Sequence, residues 1–420
     1  MRTAMTCLAS AIALVATAAH SQTPEEVANA ALEAAPVFDG HNDVPYSLRM
    51  RTNNQINEFD FHDTLDTGSP DGKIKPMHTD LARLAEGKVG AQFWSVYASA
   101  NLPEAEAVQT TIEQIDLTKR LVAKYPDALQ LAFTADQAET AMANGRIASL
   151  MGMEGGHSIG SSLAVLRQMY DLGARYMTLT HSKNVPWADS ATDTPAHNGL
   201  TSFGKDVVRE MNRLGMIVDL SHVSEKVMHD TLDIAQAPVI FSHSGARAIN
   251  GHARNVPDSV LARLPQNGGV LMVVALPGFL SETQREWYAA RQAEDARLKA
   301  LWQGQPEKVA ELLTKWDASN PTPVATISDM ADHIDHIRDI AGVAHIGIGG
   351  DYDGMPNGPE GMEDVAGYPA LFTELARRGY SQAELEMIAS RNVMRVMREA
   401  ERTASRLRDT APIETLIAKD

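Results

Sequence analysis

The stretch Phe38-Asp39-Gly40-His41-Asn42-Asp43 decides how the rest of the chain is organised. It follows the short apolar segment 35–37, a pattern that is typical of a buried strand. Because side chains alternate between the two faces of a strand, His41 and Asp43 lie on the same face. An imidazole and a carboxylate in this position can bind one metal ion together. Asp-Gly and Asn-Asp are also common in turns, so the stretch alone supports a metal site and a turn about equally.

The same arrangement returns along the chain, where short apolar runs end in His, Asp or Glu. The runs are continuous rather than alternating, as expected for strands with both faces covered. Apolar spacings of three and four residues between them indicate helices. The eight predicted strands lie at 35–37, 90–97, 147–153, 176–180, 216–220, 238–241, 269–276 and 345–350.

Strands that alternate with helices predict an α/β fold, a parallel (β/α)8 barrel of the TIM type. The alternative is an open doubly wound sheet, but the first strand is not followed by a Gly-rich phosphate-binding fingerprint. A charged amphipathic segment at about 280–316 predicts a helical insertion between strands seven and eight. We therefore predict one domain over residues 23–402 and a C-terminal tail over 403–420.

Residues 1–22 have the pattern of a secretory signal peptide, with Arg2 followed by an apolar segment rich in small residues. We expect a secreted protein, in a bacterium a periplasmic one, without a transmembrane anchor after cleavage. Cys7 is the only cysteine and lies in this segment, so the mature protein has no thiolate ligand. The formal net charge of −17 argues against nucleic acid as a partner. We expect small-molecule substrates, and a non-covalent homodimer stays open.

Active groups in such barrels gather at the C-terminal ends of the strands. A lone buried histidine is more often a core residue than a ligand, but six of eight strands ending in this way is hard to explain by packing. Charged groups brought together inside a protein need compensation, which divalent cations supply. The residues at the predicted strand ends are His41, Asp43, Glu154, His181, His222, His243 and Asp351.

This number of groups indicates two metal ions, because a catalytic zinc ion usually has three protein ligands. His41 and Asp43 are expected to bind one ion and His222 and His243 the other, with Glu154 bridging them. Nitrogen and oxygen ligands suit zinc, although manganese or cobalt also fit. A metal-bridging hydroxide is the expected nucleophile, since metal binding lowers the pKa of water from 15.7 to about 7.

Three further residues have expected roles. Asp351 is placed to take a proton from the attacking water and give it to a leaving amine. His181, which is not needed as a ligand, is expected to stabilise the developing oxyanion. The guanidinium of Arg254 matches a substrate carboxylate, although a surface arginine at a helix start is the simpler interpretation from the residue alone.

A second group of histidines and aspartates occurs at helical spacing: Asp332, His333, Asp335 and His336. It precedes strand eight on an amphipathic helix. We therefore expect it to lie far from the C-terminal rim and not to bind metal.

Seven motifs follow one another over nearly the whole mature chain: Asp39-Gly40-His41-Asn42-Asp43, Met153-Glu154-Gly155-Gly156-His157, Leu179-Thr180-His181 with Pro186-Trp187-Ala188-Asp189, Val218-Asp219-Leu220-Ser221-His222-Val223-Ser224, Phe241-Ser242-His243-Ser244, Arg254-Asn255-Val256-Pro257-Asp258 and Gly349-Gly350-Asp351-Tyr352-Asp353-Gly354. In these motifs and in their order, the chain resembles the membrane dipeptidase (renal dipeptidase) family, peptidase family M19 of the amidohydrolase superfamily. The resemblance implies a barrel with two Zn²⁺ per subunit that hydrolyses dipeptides. It assigns metal binding to His41, Asp43, Glu154, His222 and His243, substrate binding to His181 and Arg254, and the catalytic aspartate to Asp351.

We therefore expect a zinc-dependent dipeptidase acting on Xaa-Xaa dipeptides, including those with a D-residue at the C-terminal position. One alternative is another superfamily hydrolase, a lactonase or deaminase. The commoner superfamily pattern is His-x-His with a bridging lysine on strand four, where this chain has His181. The other alternative is an inactive binding or maturation protein, which the complete ligand set disfavours. The insertion at about 280–316 leaves the substrate preference open.

Overall fold

The computed structural model describes residues 22–70, 72 and 74–417. Within them, eight parallel strands form a closed barrel, and the prediction of a TIM-type fold is confirmed. The described residues contain nine strands, the eight of the barrel and the short β3: β1 (Val37–Asn42), β2 (Val89–Ser95), β3 (Leu129–Leu131), β4 (Ile147–Glu154), β5 (Ala174–Thr178), β6 (Ile217–Asp219), β7 (Ile240–Ser244), β8 (Val270–Val273) and β9 (Ile346–Ile348).

The barrel follows the order β2-β1-β9-β8-β7-β6-β5-β4, and the pairing of β2 with β4 closes it. The remaining strand, β3, pairs with the first half of β4, while β5 pairs with the second half. All eight predicted strands correspond to barrel strands. The sequence reading missed β3 because three residues are too few to show a pattern.

The helices cover the outside of the barrel, as right-handed crossovers between parallel strands require. Those of the described residues are α1 (Pro24–Ala34), α2 (Val44–Thr52), α3 (Leu81–Glu86), α4 (Glu104–Lys124), α5 (Ala135–Ala143), α6 (Leu163–Asp171), α7 (Ser202–Leu214), α8 (Glu225–Ile234), α9 (Asp258–Leu261), α10 (Leu264–Asn267), α11 (Pro277–Leu280), α12 (Glu282–Leu301), α13 (Pro306–Ser319), α14 (Ile327–Ala341), α15 (Tyr368–Arg377), α16 (Gln382–Glu386) and α17 (Asn392–Leu407).

The inside of the barrel is filled with apolar side chains from several strands, among them Phe38, Phe93 and Met272. Tyr176 of β5 is fully buried in the same cluster. Its ring occupies the space that a Cβ atom on Gly152 would need, so a glycine at this point of β4 makes room for the tyrosine. The tyrosine hydroxyl thereby reaches the strand ends where the polar residues gather.

The predicted insertion is a helical hairpin of α12 and α13. Trp287 packs against Trp316, and Arg291 donates to both carboxylate oxygens of Asp317 at 2.7 and 2.9 Å. These contacts join the start of α12 to the end of α13, so the two helices run antiparallel. The hairpin follows β8 and lies beside the segment that leaves that strand.

The described residues begin at the end of the predicted signal peptide and stop within the C-terminal tail. Residues 1–21, most of the predicted signal peptide, lie outside the described residues. At the other end α17 continues past the predicted boundary at 402 to Leu407. The backbone that follows contacts α7 and α6, since Ile413 bonds with Glu210 and Arg167. Among the helices of the described part, none combines the length and apolarity that crossing a membrane requires.

Candidate metal centre

The structure brings together at one end of the barrel every residue predicted for the site. His41 is fully buried, and the others surround a cavity of about 350 Å³ directly above it. This convergence follows from the topology, because all the barrel strands run in the same direction. The predicted residues that line the cavity are Asp43, Glu154, His181, His222, His243, Arg254 and Asp351.

The first group of candidate ligands consists of His41, Asp43 and Glu154. Nε2 of His41 lies 3.3 Å from Oδ2 of Asp43 and 3.5 Å from Oε2 of Glu154. It has no hydrogen-bond partner among residues 22–70, 72 and 74–417. Nδ1 of His41 donates to the Tyr176 hydroxyl at 2.8 Å, and that hydroxyl donates to Gly40 O at 3.3 Å. Nε2 of His41 therefore faces two carboxylates. Burial alone would lower the pKa of His41, but Tyr176, Glu154 and Asp43 raise it well above its usual value, so this nitrogen attracts a cation, either a proton or a metal ion.

The second group consists of Glu154, His222 and His243. Oε1 of Glu154 lies 3.1 Å from Nε2 of His222 and 3.5 Å from Nε2 of His243, and the two nitrogens are 3.0 Å apart. Nδ1 of His243 donates to Ser242 Oγ at 2.9 Å, and that hydroxyl donates to Asp219 at 2.7 Å. His243 therefore presents an unprotonated Nε2 to the centre of the cluster.

The donor set fits two divalent cations. In each group the three ligand atoms lie within 4.8 Å of one another, and Glu154 belongs to both groups through its two oxygens. A third such group joins His41 and His243 to Asp351. Buried lone pairs that converge in this way are compensated by a cation.

Burial and neighbouring charges shift the pKa values of the cluster in different directions. Burial lowers the pKa of His222 and of His243 well below the usual value. Burial alone would raise the pKa of Glu154, but His41, His181 and His222 hold it well below the usual value. Burial raises the pKa of Asp351 well above the usual value, so the pKa values of these two carboxyls are shifted in opposite directions. Such a separation suits acid and base roles in one site.

Two residues at the site have backbone dihedral angles that residues other than glycine rarely adopt. His222 has a φ of 69° and Asp351 a φ of 61°, both in the left-handed region. Strained conformations of this kind persist where surrounding bonds hold them and are common at functional sites. Next to His222, Asp219 accepts from the backbone N–H of Ser221 and of Ser242 at 3.0 and 2.8 Å, which ties the ends of β6 and β7 together.

The residues expected to contact substrate line the same cavity. His181 Nε2 lies 3.6 Å from Oε1 of Glu154, and burial lowers the pKa of His181 to about 4, so it is neutral. Arg254 is 3% exposed and donates to Ser244 Oγ and His243 O, both at 3.3 Å. Burial lowers its pKa only to about 10, so it stays charged, and it forms no ion pair with the described residues. A buried cation without a carboxylate partner is suited to an anionic group of a ligand.

The sequence matches the model of the family described as membrane dipeptidase (peptidase family M19) over residues 25–411. The chain belongs to this family. It is 39% identical over 396 residues to Dipeptidase 3 of Rattus norvegicus, covering 93% of this chain and 70% of that protein. It is 40% identical over 384 residues to Dipeptidase tcpJ of Claviceps purpurea, covering 89% and 79%. The predicted family and the predicted enzyme class, a metallodipeptidase-type hydrolase, are confirmed.

Solved structures of bacterial relatives support the fold of this membrane dipeptidase family member. The probable dipeptidase PvdM from Pseudomonas aeruginosa superposes with a TM-score of 0.76 at 24% identity, covering 91% of this chain and 99% of that one. A metallo peptidase from Rhodobacter sphaeroides, solved with a phosphinate mimic of L-Ala-D-Ala, has a TM-score of 0.71 at 23% identity, covering 87% and 99%.

Two supporting residues of this dipeptidase-family site were not among those predicted. Tyr176 fixes the proton position on His41, as described above. Asp39 accepts from the N–H groups of His41 and Gly350 at 3.1 and 2.9 Å and from the Tyr368 hydroxyl at 2.7 Å, which joins the ends of β1 and β9. An aspartate inside an apolar strand was a usable signal for Asp39. No sequence pattern distinguishes Tyr176 from other core tyrosines.

Proposed function

We propose that the protein hydrolyses the peptide bond of Xaa-Xaa dipeptides with two zinc ions as cofactors. The observation that carries the proposal is the position of Glu154, whose two oxygens face two separate groups of imidazole and carboxylate ligands. Two cations bridged by one carboxylate are a recurring arrangement for metal-assisted hydrolysis. The buried, unpaired Arg254 beside them supports a small substrate with a free carboxylate.

The two groups assign the ligands. His41 and Asp43 would hold one ion together with Oε2 of Glu154, and His222 and His243 the other together with Oε1. When bound, the ions supply a water nucleophile of lowered pKa and polarise the scissile carbonyl.

The protein's own residues perform the remaining tasks. Arg254 binds the C-terminal carboxylate of the dipeptide and fixes the position of the peptide bond. The neutral His181 donates a hydrogen bond to the carbonyl oxygen as negative charge develops on it. Asp351 moves a proton to the leaving amine, since its carboxyl is buried against the cluster and burial raises its pKa well above the usual value.

We extend the proposal to dipeptides with a D-residue at the C-terminal position. The support is the Rhodobacter sphaeroides relative, which was solved with a mimic of such a dipeptide. Export to the periplasm, indicated by residues 1–22, stays a prediction.

The test uses the purified mature protein on matched L,L and L,D dipeptides, before and after chelation. We expect hydrolysis that the chelator abolishes and that added Zn²⁺ restores, with two equivalents bound per chain. Manganese and cobalt salts serve as parallel additions, and N-acetylated dipeptides and simple esters as alternative substrates. Turnover that is indifferent to the chelator, or bound metal without turnover of any dipeptide, would contradict the proposal.

A further inference from the structure

We propose that residues 276–279, backed by the α12–α13 hairpin, form the subsite for the substrate's C-terminal side chain and select apolar side chains there. The inference rests on the proposed function. It concerns a part of the cavity that contains no candidate metal ligand. Leu276 and Phe279 are both partly exposed, and both face the cavity above the cluster.

The position of the subsite follows from Arg254. Arg254 lies in the segment that follows β7, residues 276–279 follow β8, and these two strands are paired neighbours. The guanidinium carbon of Arg254 is 5.4 Å from the centre of the Phe279 ring. In a dipeptide the C-terminal carboxylate is bonded to the Cα atom that carries the second side chain. A carboxylate held by Arg254 therefore brings that side chain against the wall made by Leu276 and Phe279.

A second wall of the cavity is made by Tyr46 and Tyr97, which follow other strands of the barrel. Tyr46 and Tyr97 pack edge to face with ring centres 4.8 Å apart, and Tyr97 lies 4.7 Å from His181. These tyrosines follow β1 and β2, and β9 separates β1 from β8 in the barrel. The tyrosine pair is thus placed for the N-terminal residue, while the wall next to Arg254 contacts the C-terminal one.

The wall of the proposed subsite is held in place from behind. Asn255 donates to Phe279 O at 2.9 Å, and Asn250 donates to Gly278 O at 3.2 Å. The Phe279 ring also packs on His252, with ring centres 4.3 Å apart. A wall with this many fixed points discriminates side chains by size and polarity, because it does not rearrange to fit them.

The hairpin supplies the outer support of this wall. The ring of Tyr288 from α12 lies 3.5 Å from the point where a Cβ atom on Gly278 would stand. Pro277, Trp287 and Tyr288 line a second cavity of about 580 Å³. Residues 276–279 therefore form a thin partition between the substrate cavity and the hairpin. This arrangement assigns a role to the insertion, that of setting the shape of the subsite.

The test compares Phe279→Ala with the wild type on two series of dipeptides, one varying the C-terminal residue (Ala-Ala, Ala-Leu, Ala-Phe, Ala-Asp) and one varying the N-terminal residue (Leu-Ala, Phe-Ala). We expect the wild type to prefer Ala-Leu and Ala-Phe over Ala-Asp. In Phe279→Ala, kcat/KM for Ala-Leu and Ala-Phe should fall roughly tenfold relative to Ala-Ala. The reason is that the substitution removes the ring that buries the C-terminal side chain of the substrate. The ranking within the N-terminal series should not change.

Two further variants separate specificity from folding. Tyr288→Ala should shift the C-terminal ranking in the same direction by roughly threefold, since it removes the support and leaves the wall. Leu301→Ala, an exposed position on the same hairpin, should leave the ranking unchanged. Metal content and thermal unfolding are measured for each variant.

Four outcomes would overturn the inference. An equal loss of kcat/KM on every dipeptide would mean that Phe279 only holds Arg254. A change confined to the N-terminal series would assign the wall to the other residue. A wild type that cleaves dipeptides without preferring apolar C-terminal residues refutes the subsite alone, whereas one that cleaves no dipeptide refutes the proposed function with it.

Discussion

The chain contains two clusters of histidines and acidic residues with spacings typical of metal ligands, and they have different environments. The rim cluster, defined as His41, Asp43, Glu154, His222 and His243, places nitrogen and oxygen atoms of the ligand type around a common centre. The α14 cluster, defined as Asp332, His333, Asp335 and His336, lies on a helix outside the barrel. The expectation that it lies far from the C-terminal rim is wrong, because His333 contacts Ala246 and Leu280, which follow the C-terminal ends of β7 and β8. Both are dense in ligand-type residues, so composition does not distinguish them.

Hydrogen bonding separates the two clusters. In the α14 cluster, Nδ1 of His333 accepts from Ala246 N at 2.8 Å, and Nε2 donates to Leu280 O at 3.0 Å. The two aspartates accept from Arg378 at 2.6 and 2.7 Å, and His336 pairs with Asp258.

In the rim cluster the Nε2 atom of His41 has no such partner in the described part of the chain. The difference teaches that a metal site is marked by nitrogen and oxygen atoms that have no hydrogen-bond partner in the protein. A histidine that only packs uses both of its ring nitrogens in hydrogen bonds within the protein.

The largest effect is expected from Glu154→Gln. The amide keeps the shape but replaces one bridging oxygen with an NH₂ group that cannot bind a cation. We expect kcat/KM for dipeptides to fall roughly 10³-fold, because several kcal/mol of transition-state stabilisation depend on the metals. Metal analysis of the purified variant should find fewer than two ions per chain. Retention of both ions with full activity would remove Glu154 from its bridging role.

A smaller effect is expected from Tyr176→Phe. The change removes only the hydroxyl that accepts the Nδ1 proton of His41. Groups that orient a metal-binding histidine contribute roughly 10–100-fold to metal affinity, so competition with a chelator should release one of the two ions more readily. The matched control is Tyr352→Phe, another buried tyrosine, whose hydroxyl donates to Met362 O at 2.9 Å and not to a candidate ligand. Equal affinity in both variants would mean that Tyr176 only fills the barrel.

The contrast between Glu154 and Tyr176 shows how far sequence reasoning extends. The barrel and the convergence of the rim residues were predictable, because each of these residues stands at the end of an apolar run and parallel strands bring their ends together. Tyr176 was not predictable, because its contact with His41 depends on the strand register and on the space left by Gly152. The role of the hairpin was hidden for a similar reason. Its charged sequence says nothing about the partition at residues 276–279 that Tyr288 supports.

The α14 cluster should respond to pH through stability. Burial lowers the pKa of His333 to about 4, although the facing carboxylates of Asp332 and Asp329 act to raise it. In the unfolded chain the same imidazole takes up a proton near pH 6.5. The stabilisation is therefore present above pH 6.5 and is lost as the pH falls toward 4. Between pH 7 and pH 5 this group should account for about 2 kcal/mol of the lost free energy of unfolding.

His333→Asn tests this expectation, because asparagine cannot take up a proton. The free energy of unfolding, measured with denaturant at pH 7 and pH 5, should drop less in the variant than in the wild type. An equal drop in both proteins would show that the pKa of His333 is the same in the folded and the unfolded chain, and the contrast between packed and ligand histidines would lose this example.

The smallest effect is expected from Asp335→Asn, the acid-to-amide change in the α14 cluster that matches Glu154→Gln. Asp335 accepts from Arg378 at 2.7 Å and from the Tyr380 hydroxyl at 2.8 Å, and its side chain is 40% exposed. A partly exposed ion pair contributes little, so we expect the free energy of unfolding to fall by less than about 1 kcal/mol. Metal content and kcat should equal those of the wild type. If this variant lost an ion instead, the α14 cluster would bind metal despite its internal partners, and hydrogen bonding would no longer distinguish the two clusters.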